Sequence, residues 1–166
     1  MIFDFENTVN EQVNLPKEKG IELFVKREDK LHAFVSGNKY RKLKYNLLQA
    51  EKSGYKTLLT FGGFSNHIAA VASAGNIIGF NTIGIIRGAE LAGRISNNST
   101  LNFAKQNGMQ FKFVSRELYR NKRSESFLNK LKEVFGDFYL IPEGGTNQLA
   151  VKGCEEILTS EDKTFD

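Results

Sequence analysis

The chain is predicted to form an α/β fold, a parallel sheet flanked by helices, and three observations carry that prediction. Short apolar runs rich in β-branched and aromatic residues alternate with amphipathic stretches of helical period. Glycine-bearing turns join them, as at Ser53-Gly54, Gly79 and Gly108. With 40% hydrophobic and 25% charged residues, the 166-residue chain has enough apolar material for one packed core.

Taken in order, residues 22–27 read as a strand and 38–52 as a helix closed by Ser53-Gly54. Residues 57–61, Thr-Leu-Leu-Thr-Phe, are a β-rich run. A helix over 65–78 follows, apolar nearly all round through 68–74 and so expected to be buried. Gly79 closes it. A buried strand at 81–86, a helix at 100–107 and a strand at 110–114 come next. The pattern continues with a helix at 125–135, a strand at 138–141 and a last helix at 148–158. Parallel sheets of this kind bind ligands outside the carboxyl ends of their strands. Gly62-Gly63 lies at such an edge.

Several function classes are disfavoured. The 23 basic and 19 acidic residues leave a net charge of +4, but the cations are scattered, as on a solvated surface rather than a nucleic-acid face. Cys154 is the single cysteine and His32 and His67 the only histidines, so no disulfide or cysteine cluster forms within the chain and no metal site is expected. Cys154 reads as a structural thiol. No apolar stretch approaches the ~20 residues that span a bilayer. Met1-Ile2-Phe3-Asp4-Phe5-Glu6 lacks the basic-then-apolar pattern of a leader, and a cytoplasmic protein is expected.

Tyr40, Leu43, Leu47 and Ala50 form an apolar stripe on the first long helix. At about 100° per residue, Lys39 lies about 60° from the stripe's centre, Lys44 about 80°, Lys42 about 120° and Arg41 about 140°. Lys39 is therefore the cation nearest the buried face. It also sits in the first turn, where the helix dipole disfavours an ammonium. Burial and nearby Arg41 and Lys42 push its basicity the same way, and a neutral amine is what Schiff-base chemistry needs. On spacing alone, a solvated lysine face with snorkelling stems fits better.

Gly62-Gly63-Phe64-Ser65-Asn66-His67 runs into the second helix, whose N-terminal N–H groups suit a carboxylate or phosphate. Ser65 or Asn66 also fits the N-cap position, and His67 fits a satisfied structural histidine. No P-loop or complete dinucleotide fingerprint is present. Gly144-Gly145-Thr146-Asn147 repeats the strand–glycine–helix arrangement, either as an ordinary turn or as a second wall of the same cleft.

Lys26-Arg27-Glu28-Asp29, Ser36-Gly37-Asn38-Lys39-Tyr40-Arg41-Lys42-Leu43 and Ser65-Asn66-His67 together resemble the pyridoxal-phosphate-dependent 1-aminocyclopropane-1-carboxylate deaminase/D-cysteine desulfhydrase family, of tryptophan-synthase-β-like fold. Gly84-Ile85-Ile86-Arg87-Gly88 and Ile141-Pro142-Glu143-Gly144-Gly145 extend the resemblance, which reverses the odds against Lys39. It implies pyridoxal 5'-phosphate as cofactor and Lys39 as the Schiff-base lysine. Asn66 then matches the group on the cofactor's phenolic oxygen, and Lys42 a basic position near its phosphate. Ser65, Asn66 and His67 match the substrate-carboxylate site, with Ser65 also assisting proton transfer or ring attack. The implied enzyme is a lyase or hydrolase of amino-acid metabolism. It would release ammonia, or sulfide, from a small amino acid such as 1-aminocyclopropane-1-carboxylate or D-cysteine. A racemase, a β-replacement enzyme or a non-catalytic fragment are the alternatives on this fold.

Family members are longer, and their phosphate loop and pyridine-nitrogen contact would fall after position 166, where Thr164-Phe165-Asp166 reads as the start of a strand. The resemblance therefore implies an N-terminal half. Residues 1–48 would belong to a large domain, 49–143 to a small α/β domain, and 144–166 to the return into the large one. The full-length enzyme is expected to be a homodimer with no nucleic-acid or membrane partner. The 166 residues alone are expected to be inactive, with apolar surface around Tyr40, Leu43 and Leu47 left exposed. Ile68-Ala69 stand where the family's deaminases carry a polar pair, which weighs against cyclopropane deamination.

Overall fold

Residues 8–14 and 20–165 are described in the structure, a computed structural model. The leader reading at Met1–Glu6 and the end of the strand expected at 164–166 fall on residues outside that range. The described chain begins with an antiparallel pair, Asn10–Val13 (β1) and Leu23–Lys26 (β2), with Asn10 opposite Lys26. Asn-Glu-Gln-Val lacks the apolar alternation of a half-buried strand, so β1 is not foreseen by pattern.

Asn38–Lys52 forms α1. Four parallel strands follow, separated by helices: Thr57–Gly62 (β3), Asn66–Ile78 (α2), Asn81–Arg87 (β4), Ser99–Gln106 (α3), Gln110–Val114 (β5), Arg116–Arg120 (α4), Glu125–Phe135 (α5), Tyr139–Ile141 (β6) and Gln148–Cys154 (α6). The sheet order is β5-β4-β3-β6. The chain thus moves outward from β3 to β5, then crosses back to pair β6 on the other side of β3. A crevice opens where the direction reverses, between the carboxyl ends of β3 and β6. Both glycine loops lie there.

Alternation along β3 feeds two cores. Leu58 packs with Leu43, Leu47, Val71, Leu101 and Ile141 on the face covered by α1, α2 and α3. Leu59 and Phe61 pack with Ile83, Ile85, Tyr119, Phe127 and Leu131 on the face covered by α4 and α5. The expected helix-flanked parallel sheet is therefore a three-layer sandwich.

The apolar stripe of α1 is buried, with Tyr40 and Leu43 at 0% exposure and Leu47 at 2%. The expectation that these residues are left bare is overturned, because the sheet and the neighbouring helices already cover them within this chain. A second difference concerns Arg41, which lies far from the stripe yet is 2% exposed. α6 packs on that side of α1, and a Cβ on Gly153 would stand 2.0 Å from the Arg41 carbonyl oxygen. The guanidinium is held by both carboxylate oxygens of Glu28, at 2.8 and 2.7 Å.

The last helix ends at Cys154, four residues before the expected boundary. Ser160–Thr164 forms a 3₁₀ turn instead of leading straight into a strand. Its Asp162 accepts from Lys26 at 2.7 Å and from Asn10 at 2.9 Å, tying this segment to β1 and β2. Phe165 is extended and stacks on Phe24 at 4.9 Å. No helix among the described residues is long and apolar enough to cross a membrane.

Candidate active site

Lys39 enters the site through the turn before α1. Gly37 has φ +58°, a left-handed conformation that side chains rarely adopt. Its N–H donates to the Glu28 carbonyl at 2.9 Å. The preceding loop is fastened by His32, whose Nδ1 accepts from the backbone of Phe34 and Val35 at 3.1 and 3.0 Å. Glu28 thus anchors both the turn and, through Arg41, the first helical turn behind Lys39.

Lys39 lines a cleft of about 570 Å³ with Ser36, Gly37, Asn38 and Asn66. Its Nζ reaches Asn38 Oδ1 at 3.3 Å, and no carboxylate pairs with it among the described residues. Burial holds its pKa below the ordinary lysine value, and the charge of Lys42 adds to that shift.

On the opposite wall, β3 ends at Gly62, where a Cβ would stand 2.6 Å from Ile68. Glycine there lets the strand turn sharply into α2. Ser65 is the N-cap residue, yet its hydroxyl makes no capping hydrogen bond. Asn98, Ser115, Ser124 and Asn147 each accept one at their own helices. The first turn of α2 therefore presents backbone N–H groups with no side-chain cap, at the positive end of a 13-residue helix.

His67 behaves differently from its neighbours. It is 3% exposed and turned beneath the loop. Its Nε2 lies 2.7 Å from Thr60 Oγ1, and Thr60 donates to the Ile141 carbonyl at 2.9 Å. The Thr60 hydroxyl thus links the imidazole to the Ile141 carbonyl of β6. Nδ1 makes no full hydrogen bond among the described residues, and the Pro142 backbone acts on the ring. Burial, with the charges of Lys39 and Lys42, pushes the imidazole down to about 4, so it is neutral at physiological pH.

Lys42 faces away from the Lys39 cleft. Its ammonium donates to Thr146 Oγ1 at 2.9 Å, beside a smaller hollow of about 300 Å³ lined by Thr146, Ala150 and Cys154. The second glycine loop packs behind the Lys39 cleft without lining it. A Cβ on Gly145 would stand 3.4 Å from His67 and 3.6 Å from Lys42. The structure therefore gathers Lys39 and Asn66 at one cleft with Ser65 adjoining, sets His67 under the floor, and places Lys42 behind it.

Sequence reasoning missed Thr60 and Asn46. Thr60 had a signal, a hydroxyl inside the apolar run Leu58-Leu59-Thr60-Phe61. Asn46 had none. It is fully buried on α1 and accepts from Asn147 at 2.7 Å, locking the second glycine loop to α1.

No family model matches the chain. It is 34% identical over 151 residues to the bifunctional D-cysteine desulfhydrase/1-aminocyclopropane-1-carboxylate deaminase of Arabidopsis thaliana mitochondria, covering 86% of this chain and 38% of that protein. A Thermotoga maritima protein, whose name offers 1-aminocyclopropane-1-carboxylate deaminase as a provisional activity, is 35% identical over 144 residues, covering 84% of this chain and 44% of its own length. A crystal structure described as an ACC deaminase homologue superposes over 100% of this chain and 50% of that one, with TM-score 0.75 and 26% identity. The chain thus spans half or less of the length of these relatives.

Proposed function

We propose that this chain, a homologue of the 1-aminocyclopropane-1-carboxylate deaminase/D-cysteine desulfhydrase family, supplies the amine and carboxylate-binding walls of a pyridoxal-phosphate-dependent lyase. The substrate is a small amino acid, and ammonia is released, with sulfide where the substrate carries a thiol. One observation carries the reading. Lys39 has an amine of lowered basicity and no acidic partner among the described residues, and it shares its cleft with Asn66 at the uncapped start of α2.

These residues fit the cofactor. Lys39 Nζ would hold its aldehyde, and Asn66 offers a side-chain amide at the same cleft. When bound, pyridoxal phosphate supplies an electron sink that acidifies the bonds at the substrate's Cα. Lys39 Nζ, unprotonated, takes and returns the proton there. Ser65 and the first-turn N–H groups of α2 orient the substrate carboxylate. His67, buried against Thr60, supports that loop from below and adds its backbone N–H rather than its ring. Lys42 lowers the basicity of Lys39 by its charge.

The two-domain division keeps the parallel sheet in one piece. All four parallel strands fall within residues 57–141, inside the small-domain range 49–143. Helix α1 crosses the boundary at 48/49 and shares the core of that sheet, and α6 meets it at the Arg41–Gly153 contact. We assign the activity to the whole protein, as a homodimer, rather than to these 166 residues alone, since the relatives are about twice as long or longer.

The test is borohydride reduction of the full-length protein with pyridoxal phosphate, followed by peptide mapping. The adduct is expected on Lys39. Modification of Lys42, with Lys39 untouched, would overturn the assignment.

A further inference from the structure

A second cavity opens on the far side of the β3 loop. It has a volume of about 540 Å³, within the range of small-molecule sites. Strand order explains what lines it. Gly63 and Phe64 follow β3, Arg87 ends β4, Arg116 begins the helix after β5, and Glu143 follows β6. The carboxyl ends of all four parallel strands therefore meet around one hollow, the edge at which such sheets bind ligands.

The charge there is one-sided. Arg87, Arg116, Arg120 and Lys122 face a single carboxylate, Glu143. That carboxylate is already engaged, accepting from Tyr119 at 2.8 Å and pairing with Lys122 at 3.2 Å. Arg116 has Glu90 at 3.1 Å, an exposed pair that water screens. Arg87 and Arg120 have no acidic partner among the described residues. Arg87 instead lies over the Tyr119 ring, 5.9 Å from its centre, which limits where its guanidinium can point. Phe64 and Leu91 complete the lining with apolar surface. Two uncompensated guanidinium forks beside apolar walls match a compact oxyanion on a small carbon skeleton.

We propose that this pocket binds a small molecule bearing a phosphate or sulfonate group. The site stands apart from Lys39, and only its substrate arm, tested by Ser65→Ala, rests on the pyridoxal-phosphate reading. The same oxyanion has two possible sources. It belongs either to the distal end of a substrate whose carboxylate lies at Ser65, since the loop is continuous from Gly63 to Asn66, or to a separate anionic effector.

The experiment is titration of inorganic phosphate and of O-phosphoserine into the purified protein, followed by the amide resonances of Gly63, Phe64, Arg87 and Arg116. Saturable shifts confined to these positions are expected. Arg87→Gln with Arg120→Gln should weaken binding by about tenfold or more. The exposed pair Lys52→Gln with Lys56→Gln, at the opposite edge of the sheet, should change it little despite the same loss of charge. Arg120→Gln alone, at an exposed unpaired position, gives a second reading if the double variant folds poorly. Tighter binding of O-phosphoserine that weakens in Ser65→Ala identifies a substrate group. Equal binding of phosphate, indifferent to Ser65→Ala, identifies an effector. Absence of saturable shifts at the four amides, or an equal loss from the Lys52/Lys56 pair, would overturn the site.

Discussion

Thr60 and His67, seven residues apart, are joined beneath the active-site loop by a hydrogen bond of 2.7 Å that holds a buried imidazole. The bond runs from the centre of β3 to the first turn of α2, so the loop between them is pinned at both ends. The uncapped N–H groups above it are held in place by a contact that never meets solvent.

This pair gives the protein a pH-dependent stability. In the folded chain His67 takes a proton only near pH 4, whereas the unfolded imidazole takes one near 6.5. The unfolded chain therefore binds more protons between these values, and stability falls as pH drops from 6.5 to 4. The loss is about 3 kcal/mol across that window. Urea midpoints measured from pH 4 to 7 should show the slope, and His67→Asn should remove it. Thr60→Val, which leaves the buried Nε2 without this partner, should cost about 1–3 kcal/mol at neutral pH.

Lys39 is expected to titrate below an ordinary lysine because of burial and the charge of Lys42. Lys42→Met removes the second cause and should move the Lys39 titration upward. Acylation of Lys39 as a function of pH, read by mass spectrometry, measures this. An unchanged midpoint would mean that burial alone sets its basicity.

Ser65 caps no backbone group, so its removal should leave the fold intact. In the full-length enzyme, Ser65→Ala should lower turnover by about 10²-fold, the scale of a lost proton-transfer partner, with cofactor retained. Unchanged kinetics across amino-acid substrates would confine Ser65 to a bystander's place in the loop.

Gly153 should not tolerate a side chain. A methyl group would stand 2.0 Å from backbone oxygen, not from a movable side chain, so α6 would have to separate from α1. Gly153→Ala should therefore destabilise by about 1–3 kcal/mol or more. Disturbance of Arg41 against Glu28, a nearly buried pair, would add to this. Thermal unfolding reads the loss directly.

Local pattern determined a great deal here. The strand at 110–114 and the helix at 125–135 lie where their apolar periods place them, because burial on one face imposes a repeat that a short window can read. The stripe of α1 likewise sets Lys39 at the edge of the buried face. The motifs around Lys39 and Ser65-Asn66-His67 pointed to a family that the comparisons support. Tertiary structure alone decided the rest. The order β5-β4-β3-β6 depends on which strands find each other across long separations, and no window contains that information. Arg41, far from the stripe, is buried because α6 returns across its side of α1, and Glu28 is brought to it from thirteen residues away. His67 looks inward, not into the cleft, because Thr60 on β3 holds its ring and Gly145, after β6, leaves room beside it. Arg87, at the end of β4, and the group Arg116, Arg120 and Lys122, after β5, gather at one hollow only because parallel strands end on the same side. Periodicity reports which face of an element is buried. What that face meets is set by partners distant in the chain.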